Sequence, residues 1–147
     1  MLMKAIHFTD QDYNLLVLLA QTSDAVLKAW QKELDEYNIS VERAAALLAI
    51  RAIGDEATPS QISRWLSREP HTVSGLLNRM GKAGLVMMVK DLDKKNMVRV
   101  VLTNKGRKAY HQSIRQESIH QIMVSLSEEE RQQLRSCLQT LRDRALT

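Results

Sequence analysis

Between Thr58 and Thr103 the spacing of apolar positions changes three times along the chain, and each change marks an element. Ile62 and Leu66 share one face of a short helix, with Arg64 and Arg68 directed away from it. Thr58 and Gln61 have the spacing of a capping box, and Pro59 suits the first helical position, where its missing N–H is an orphan donor anyway. Ser67-Arg68-Glu69 reads as a turn. Pro70 then opens a second helix in which Val73, Leu76, Leu77 and Met80 form one buried stripe, and Gly84 is placed to close it as a left-handed cap. Two Val-rich runs follow, Leu85 to Val89 and Val98 to Leu102, joined by Asp91-Leu92-Asp93-Lys94-Lys95-Asn96. Their length and polar joint predict a two-stranded hairpin.

A helix, a turn, a second helix and a hairpin in that order predict a winged helix-turn-helix. The flanks are helical as well. Thr9 is expected to cap a helix with Leu15, Leu18, Leu19, Val26, Leu27, Trp30 and Leu34 spaced for burial, ending near Tyr37-Asn38. Ser40 starts the next, whose Leu47, Leu48 and Ile53 are expected beneath the binding motif. After Thr103 one long helix is expected to reach about Ser125, and Ser127 with Glu130 caps a last helix striped by Leu134, Leu138 and Leu141. The fold class is therefore mainly α with a small β-hairpin wing, a winged helix-turn-helix with N- and C-terminal dimerisation helices. We read it as a single domain, 1–147, in which 1–38 and 108–147 are the dimerisation helices and 39–107 the winged lobe. Apolar helices at both ends are most simply explained by burial against a second copy, an association that is usually two-fold.

Charge sharpens this picture. Between Thr58 and His111 eleven Lys/Arg face three Asp/Glu, a surplus of eight positive charges, whereas the rest of the chain has ten against fourteen. Positive charge is thus concentrated where the motif lies, the footprint expected of a phosphate-binding surface. The second helix turns His71, Gly75, Asn78 and Lys82 outward, flanked by Thr72, Ser74 and Arg79. Short donors and acceptors allow close approach to base edges, where Asn pairs with adenine and Ser or Thr bonds several bases. Ser60 and Arg64 on the first helix, with Lys90, Lys94, Lys95, Asn96 and Arg99 on the wing, are expected to meet the backbone or enter the minor groove. The partner so implied is double-stranded DNA.

Composition excludes other classes. The chain has 147 residues, 44% of them apolar and only 4% aromatic, with no run approaching a membrane span, and its first residues lack a sustained apolar signal region. Cytoplasmic residence is the expectation. His7, His71, His111 and His120 have no metal-ligand spacing, and no phosphate loop or nucleophile motif occurs, so neither an enzyme, a metal site nor a cofactor is expected. Asp91 and Asp93 read as a solvated turn. Cys137 is the single cysteine; it lies on an apolar helical stripe and is expected to be a packed thiol.

The sequence resembles the MarR family of winged helix-turn-helix regulators. The resemblance rests on the order of a long N-terminal helix, Thr58 to Leu66, Thr72-Val73-Ser74, Gly84-Leu85-Val86, a charged tip, Leu102-Thr103, Gly106 and two C-terminal helices. It implies a homodimer on a pseudopalindromic operator, usually a repressor released by a small ligand or by oxidation. Family ligands often sit between dimerisation helices and binding lobe, which makes Trp30, Tyr37 and His111 candidate walls for a small aromatic or phenolic effector. The chain departs from the family at the wing: Lys94 stands where Asp is usual, Lys95-Asn96 where Arg is usual, and Met87 and Met88 where Arg is common. Two other readings stay open on the residues alone, a non-specific architectural DNA-binding protein and a helical interaction protein that has lost DNA binding. Short polar residues on the recognition helix favour the specific regulator over the first, and the basic segment disfavours the second.

Overall fold

Ser40, Thr58, Thr103 and Ser127 each start a helix with a hydroxyl that accepts from an N–H of its first turn. The computed structural model describes residues 10–90, 93, 97–115 and 117–147. Helix α1 runs Gln11–Leu34, followed by a 3-10 turn, Asp35–Tyr37. Helix α2, Val41–Ile53, begins at Ser40, whose hydroxyl accepts from Arg43 N at 3.1 Å. At α3, Pro59–Leu66, both bonds of the capping box form: Gln61 N donates to Thr58 Oγ1 and Thr58 N to Gln61 Oε1. Helix α4 spans Pro70–Lys82, and Gly84 takes φ 78°, the left-handed conformation that lets the chain leave it. Thr9, the expected cap of α1, lies outside the described residues.

Strands β1 (Val86–Lys90) and β2 (Val98–Leu102) pair antiparallel, with Val86 opposite Leu102 and Lys90 opposite Val98. Val100 N donates to Ala57 O at 2.7 Å, which ties the hairpin to the α2–α3 loop. Helix α5, Asn104–Ile114, starts from Thr103, whose hydroxyl accepts from Gly106 N. It crosses the start of β1 so closely that a Cβ on Gly106 would lie 2.0 Å from Leu85 O. Only glycine allows that approach.

Two compact units result. One comprises Gln31–Gln116, the other the residues up to Trp30 together with Glu117–Thr147. The first has a continuous core in which Leu47, Ile62, Val73, Leu77, Met80 and Val100 are essentially sealed. Burying each such side chain stabilises by about 1.5–3 kcal/mol, so α3 and the hairpin are held by α2, and α4 by α3 and β1, rather than by propensity. The boundaries differ from the expected 38/39 and 107/108. The last turn of α1 belongs with the lobe, where Leu34 is fully buried, and so does α5, packed on α2 and β2.

Two local expectations change. The helix expected from Thr103 to about Ser125 is interrupted: α5 ends at Ile114 and α6 spans Glu117–Met123. Arg115, at ψ −1°, leaves the helical ladder. No Gly or Pro marks the place, so periodicity alone ran through it. Helix α7, Glu128–Ala145, begins at the expected capping box of Ser127 and Glu130, yet Cys137 on it is exposed rather than packed. Helical spacing sets out an apolar face, but burial needs a surface to receive it, and within one chain none of α7 is buried.

Candidate nucleic-acid interface

The geometry of the α3–α4 pair is set in the turn between them. The buried Ser63 hydroxyl donates to Arg68 O at 2.6 Å, and Ser67 adopts φ 52° with its N–H directed to Arg64 O. A non-glycine residue in the left-handed region costs roughly 1–2 kcal/mol, which the Ser63 bond and the packing of Ile62 and Val73 offset. The entry angle of α4 is thereby fixed.

Because Val73, Leu76, Leu77 and Met80 all point into the core, the opposite face of α4 is presented outward. His71, Thr72, Ser74, Asn78, Arg79 and Lys82 are exposed and Gly75 is half-buried. Arg79 Nη1 would lie 3.4 Å from a Cβ on Gly75, so the guanidinium lies back along the helix over that residue. Ser60 and Arg64 are exposed on α3. Neither α3 nor α4 has an acidic residue in its first turn, in contrast to α1, α2, α6 and α7. Among the described residues Arg64, Arg68, Arg79 and Lys82 have no carboxylate at ion-pair distance. The face can donate to base edges at its centre and neutralise phosphates at its borders.

The wing candidates separate. Lys90 is exposed at the end of β1, while Lys94, Lys95 and Asn96 lie outside the described residues. Arg99 is half-buried, and its Nη1 donates to Asp55 O at 3.2 Å. Its guanidinium is thus turned back onto the α2–α3 loop rather than outward from the wing. The candidate ligand residues separate as well. Tyr37 lines a cleft of about 320 Å³ within the Gln31–Gln116 unit. His111 is exposed and packs edge-on against Tyr110, with ring centres 5.2 Å apart; Trp30 is half-buried, and neither is a wall of that cleft.

Sequence reasoning passed over the cations that meet in this cleft, Arg43, Lys105 and Lys108. A signal was present, because Lys105, Lys108, Ala109 and Gln112 recur at helical spacing on one face of α5. That Arg43 joins them follows only from the packing of α2 on α5.

No family model matches the chain, and no curated protein matches it. Solved structures do. The chain is 33% identical to the organohalide-sensing transcriptional regulator RdhR in its 2,4-dichlorophenol-bound form, covering 99% of this chain and 89% of that one with a TM-score of 0.81. It is 25% identical to a MarR family protein from Bacillus stearothermophilus, covering 97% and 100% with a TM-score of 0.73. A variant of MepR from Staphylococcus aureus bound to an oligodeoxyribonucleotide is also 25% identical, covering 96% and 100% with a TM-score of 0.60.

Proposed function

The chain belongs to the MarR family of transcriptional regulators, and from that premise we propose that it is a homodimeric repressor that binds a pseudopalindromic operator and is released by a small aromatic or phenolic effector. The observation that carries the DNA reading is the outward face of α4. Its small polar centre, bordered by cations without carboxylate partners among the described residues, suits a helix laid in the major groove. His71, Thr72, Ser74, Gly75 and Asn78 are assigned to base edges, Arg79 and Lys82 to the groove border. Ser60, Arg64 and Lys90, with Lys94, Lys95 and Asn96 at the wing tip, are assigned to the backbone. Arg99 supports the wing from behind through Asp55 O. The oligodeoxyribonucleotide complex of MepR adds support.

Support for a dimer comes from the terminal helices, where Leu15, Leu19, Leu134, Leu138 and Leu141 are exposed. An apolar surface of this kind marks an association site. Support for a phenolic effector comes from RdhR in its 2,4-dichlorophenol-bound form; of the candidates Trp30, Tyr37 and His111, Tyr37 lines a cleft within the lobe. Footprinting on the DNA upstream of the chain's own reading frame tests the proposal. The expected result is protection of a pseudopalindrome with half-sites about one helical turn, roughly 10 bp, apart. Equal affinity for that site and for random duplex across a salt titration would replace a specific regulator by an architectural protein. Addition of 2,4-dichlorophenol should lower operator affinity, and by reciprocity DNA should lower affinity for the phenol by the same factor. A phenol that binds without that reciprocal loss would remove it as effector.

A further inference from the structure

None of the residues on the outward face of α4 lines the cleft beside Tyr37, whose walls come from four places in the lobe. Tyr37, Asn38 and Ile39 belong to the α1–α2 connection, Arg43 to α2, Ala83 and Leu85 to the α4–β1 turn, and Lys105, Lys108 and Ala109 to α5. Gln31 holds the first of these in place: its side-chain amide donates to Asp35 Oδ1 and Ile39 O, and its Oε1 accepts from Val41 N at 2.8 Å. Lys105 is also held, donating to Ala83 O at 2.8 Å. That bond uses one of its three N–H donors and leaves two for a ligand. The cleft is therefore lined by groups whose backbone positions are set by other interactions.

Its chemistry is one-sided. Among the described residues three cations line it and no carboxylate does, and none of the three has a carboxylate at ion-pair distance. Cations gathered around one space repel each other until an anion enters. Arg43 brings a fork suited to a carboxylate or phosphate, Lys105 and Lys108 bring point charges, and the Tyr37 hydroxyl and Asn38 amide add neutral donors. Ile39, Leu85 and Ala109 supply an apolar wall for a short carbon skeleton. The volume, about 320 Å³, falls at the lower end of the roughly 300–1,000 Å³ of small-molecule sites. We infer that this cleft binds a small anion carrying two or more negative charges, a polycarboxylate or a phosphate compound. The inference goes beyond the regulator reading and does not depend on it, since the site lies within one lobe, shares Tyr37 alone with the proposed effector walls and is lined by none of the residues assigned to DNA.

The test uses the full-length protein without DNA, titrated with citrate, pyrophosphate and acetate at constant ionic strength. Calorimetry and backbone amide shifts are followed. Citrate or pyrophosphate should saturate at one site per chain, with shifts centred on 37–43, 83–85 and 105–112, and acetate should bind at least about tenfold more weakly. Whether citrate or pyrophosphate binds more tightly identifies the carboxylate or the phosphate class. Arg43→Gln and Lys108→Gln should each weaken binding about tenfold or more, the loss expected for one charge-assisted contact. Lys108 is exposed, so Lys108→Gln keeps the test valid should Arg43→Gln disturb α2. Lys82→Gln, on the proposed DNA face, should leave the affinity for citrate and pyrophosphate unchanged. The inference is overturned if neither polyanion saturates, if the shifts centre on 71–82, or if Lys82→Gln weakens binding as much as Lys108→Gln does.

Discussion

The Gln31–Gln116 lobe and the terminal-helix unit have comparable apolar patterning but opposite burial. In the lobe every helix from α2 to α5 buries part of its stripe, and side chains from six elements meet in one core. In the other unit α6 and α7 bury nothing, and the residue of α1 that is buried, Leu34, lies in the turn belonging to the lobe. Leu134 and Leu138 are each 40% exposed and Leu141 57%, although their spacing is as regular as that of Val73, Leu76, Leu77 and Met80. The difference teaches that periodicity reports which face is apolar, while burial depends on what that face meets. The lobe supplies its own partner surface. The terminal helices, on our proposal, obtain theirs from a second copy.

The largest effects should come from attacking each stripe in turn. Leu77→Ala removes a fully buried side chain and is expected to lower lobe stability by about 2–5 kcal/mol. Leu138→Glu should instead leave the lobe folded while placing an unpaired charge in the proposed interface, at a cost sufficient to separate the subunits. Sedimentation together with Trp65 fluorescence distinguishes the two. A Leu138→Glu protein that remains dimeric and still binds operator would break the comparison.

Gly106→Ala sharpens the lobe's side of it. The added Cβ would meet Leu85 O at 2.0 Å, a backbone atom that cannot swing away, so α5 must shift off β1. A loss of about 1–3 kcal/mol is expected, as for other overpacked sites. Denaturant unfolding measures it, and a neutral result would show that α5 is less firmly seated on the lobe than its close approach indicates.

Within the lobe, Asn78→Ala should cost about 1–3 kcal/mol on the preferred operator and relax base preference. Lys90→Ala should weaken all duplexes alike and reduce the salt slope by about one unit. Matched competition assays decide this, and equal losses on operator and random DNA for Asn78→Ala would remove it from the base-reading set. The smallest effect belongs to the terminal unit. Backbone and side-chain hydrogen bonds from Ser127 hold the Glu130 carboxyl below its ordinary 4.5. A carboxyl lowered in the folded state stabilises it above the unfolded value, and that contribution is lost as pH falls through the folded value. Fraying of the first turn of α7 is therefore expected on acidification below 4.5, and Glu130→Gln should flatten that pH dependence in amide exchange.

Much of this molecule was written locally. The capping boxes at Thr58 and Ser127, the left-handed Gly84, the hairpin and the outward face of α4 all depend on residues a few positions apart, so spacing alone revealed them. The tertiary structure decided what depends on distant partners. Arg99 has the composition of a wing cation, yet its long side chain turns to a carbonyl 44 residues away in sequence, because β2 lies against the α2–α3 loop. Arg43 meets Lys105 and Lys108 only because α2 packs on α5. Gln31 closes the α1–α2 connection through bonds to Asp35, Ile39 and Val41 that no apolar pattern encodes. The division has one physical cause: caps and periodicity are properties of short stretches of backbone, whereas the end of a long flexible side chain takes the best partner that the folded chain brings within reach.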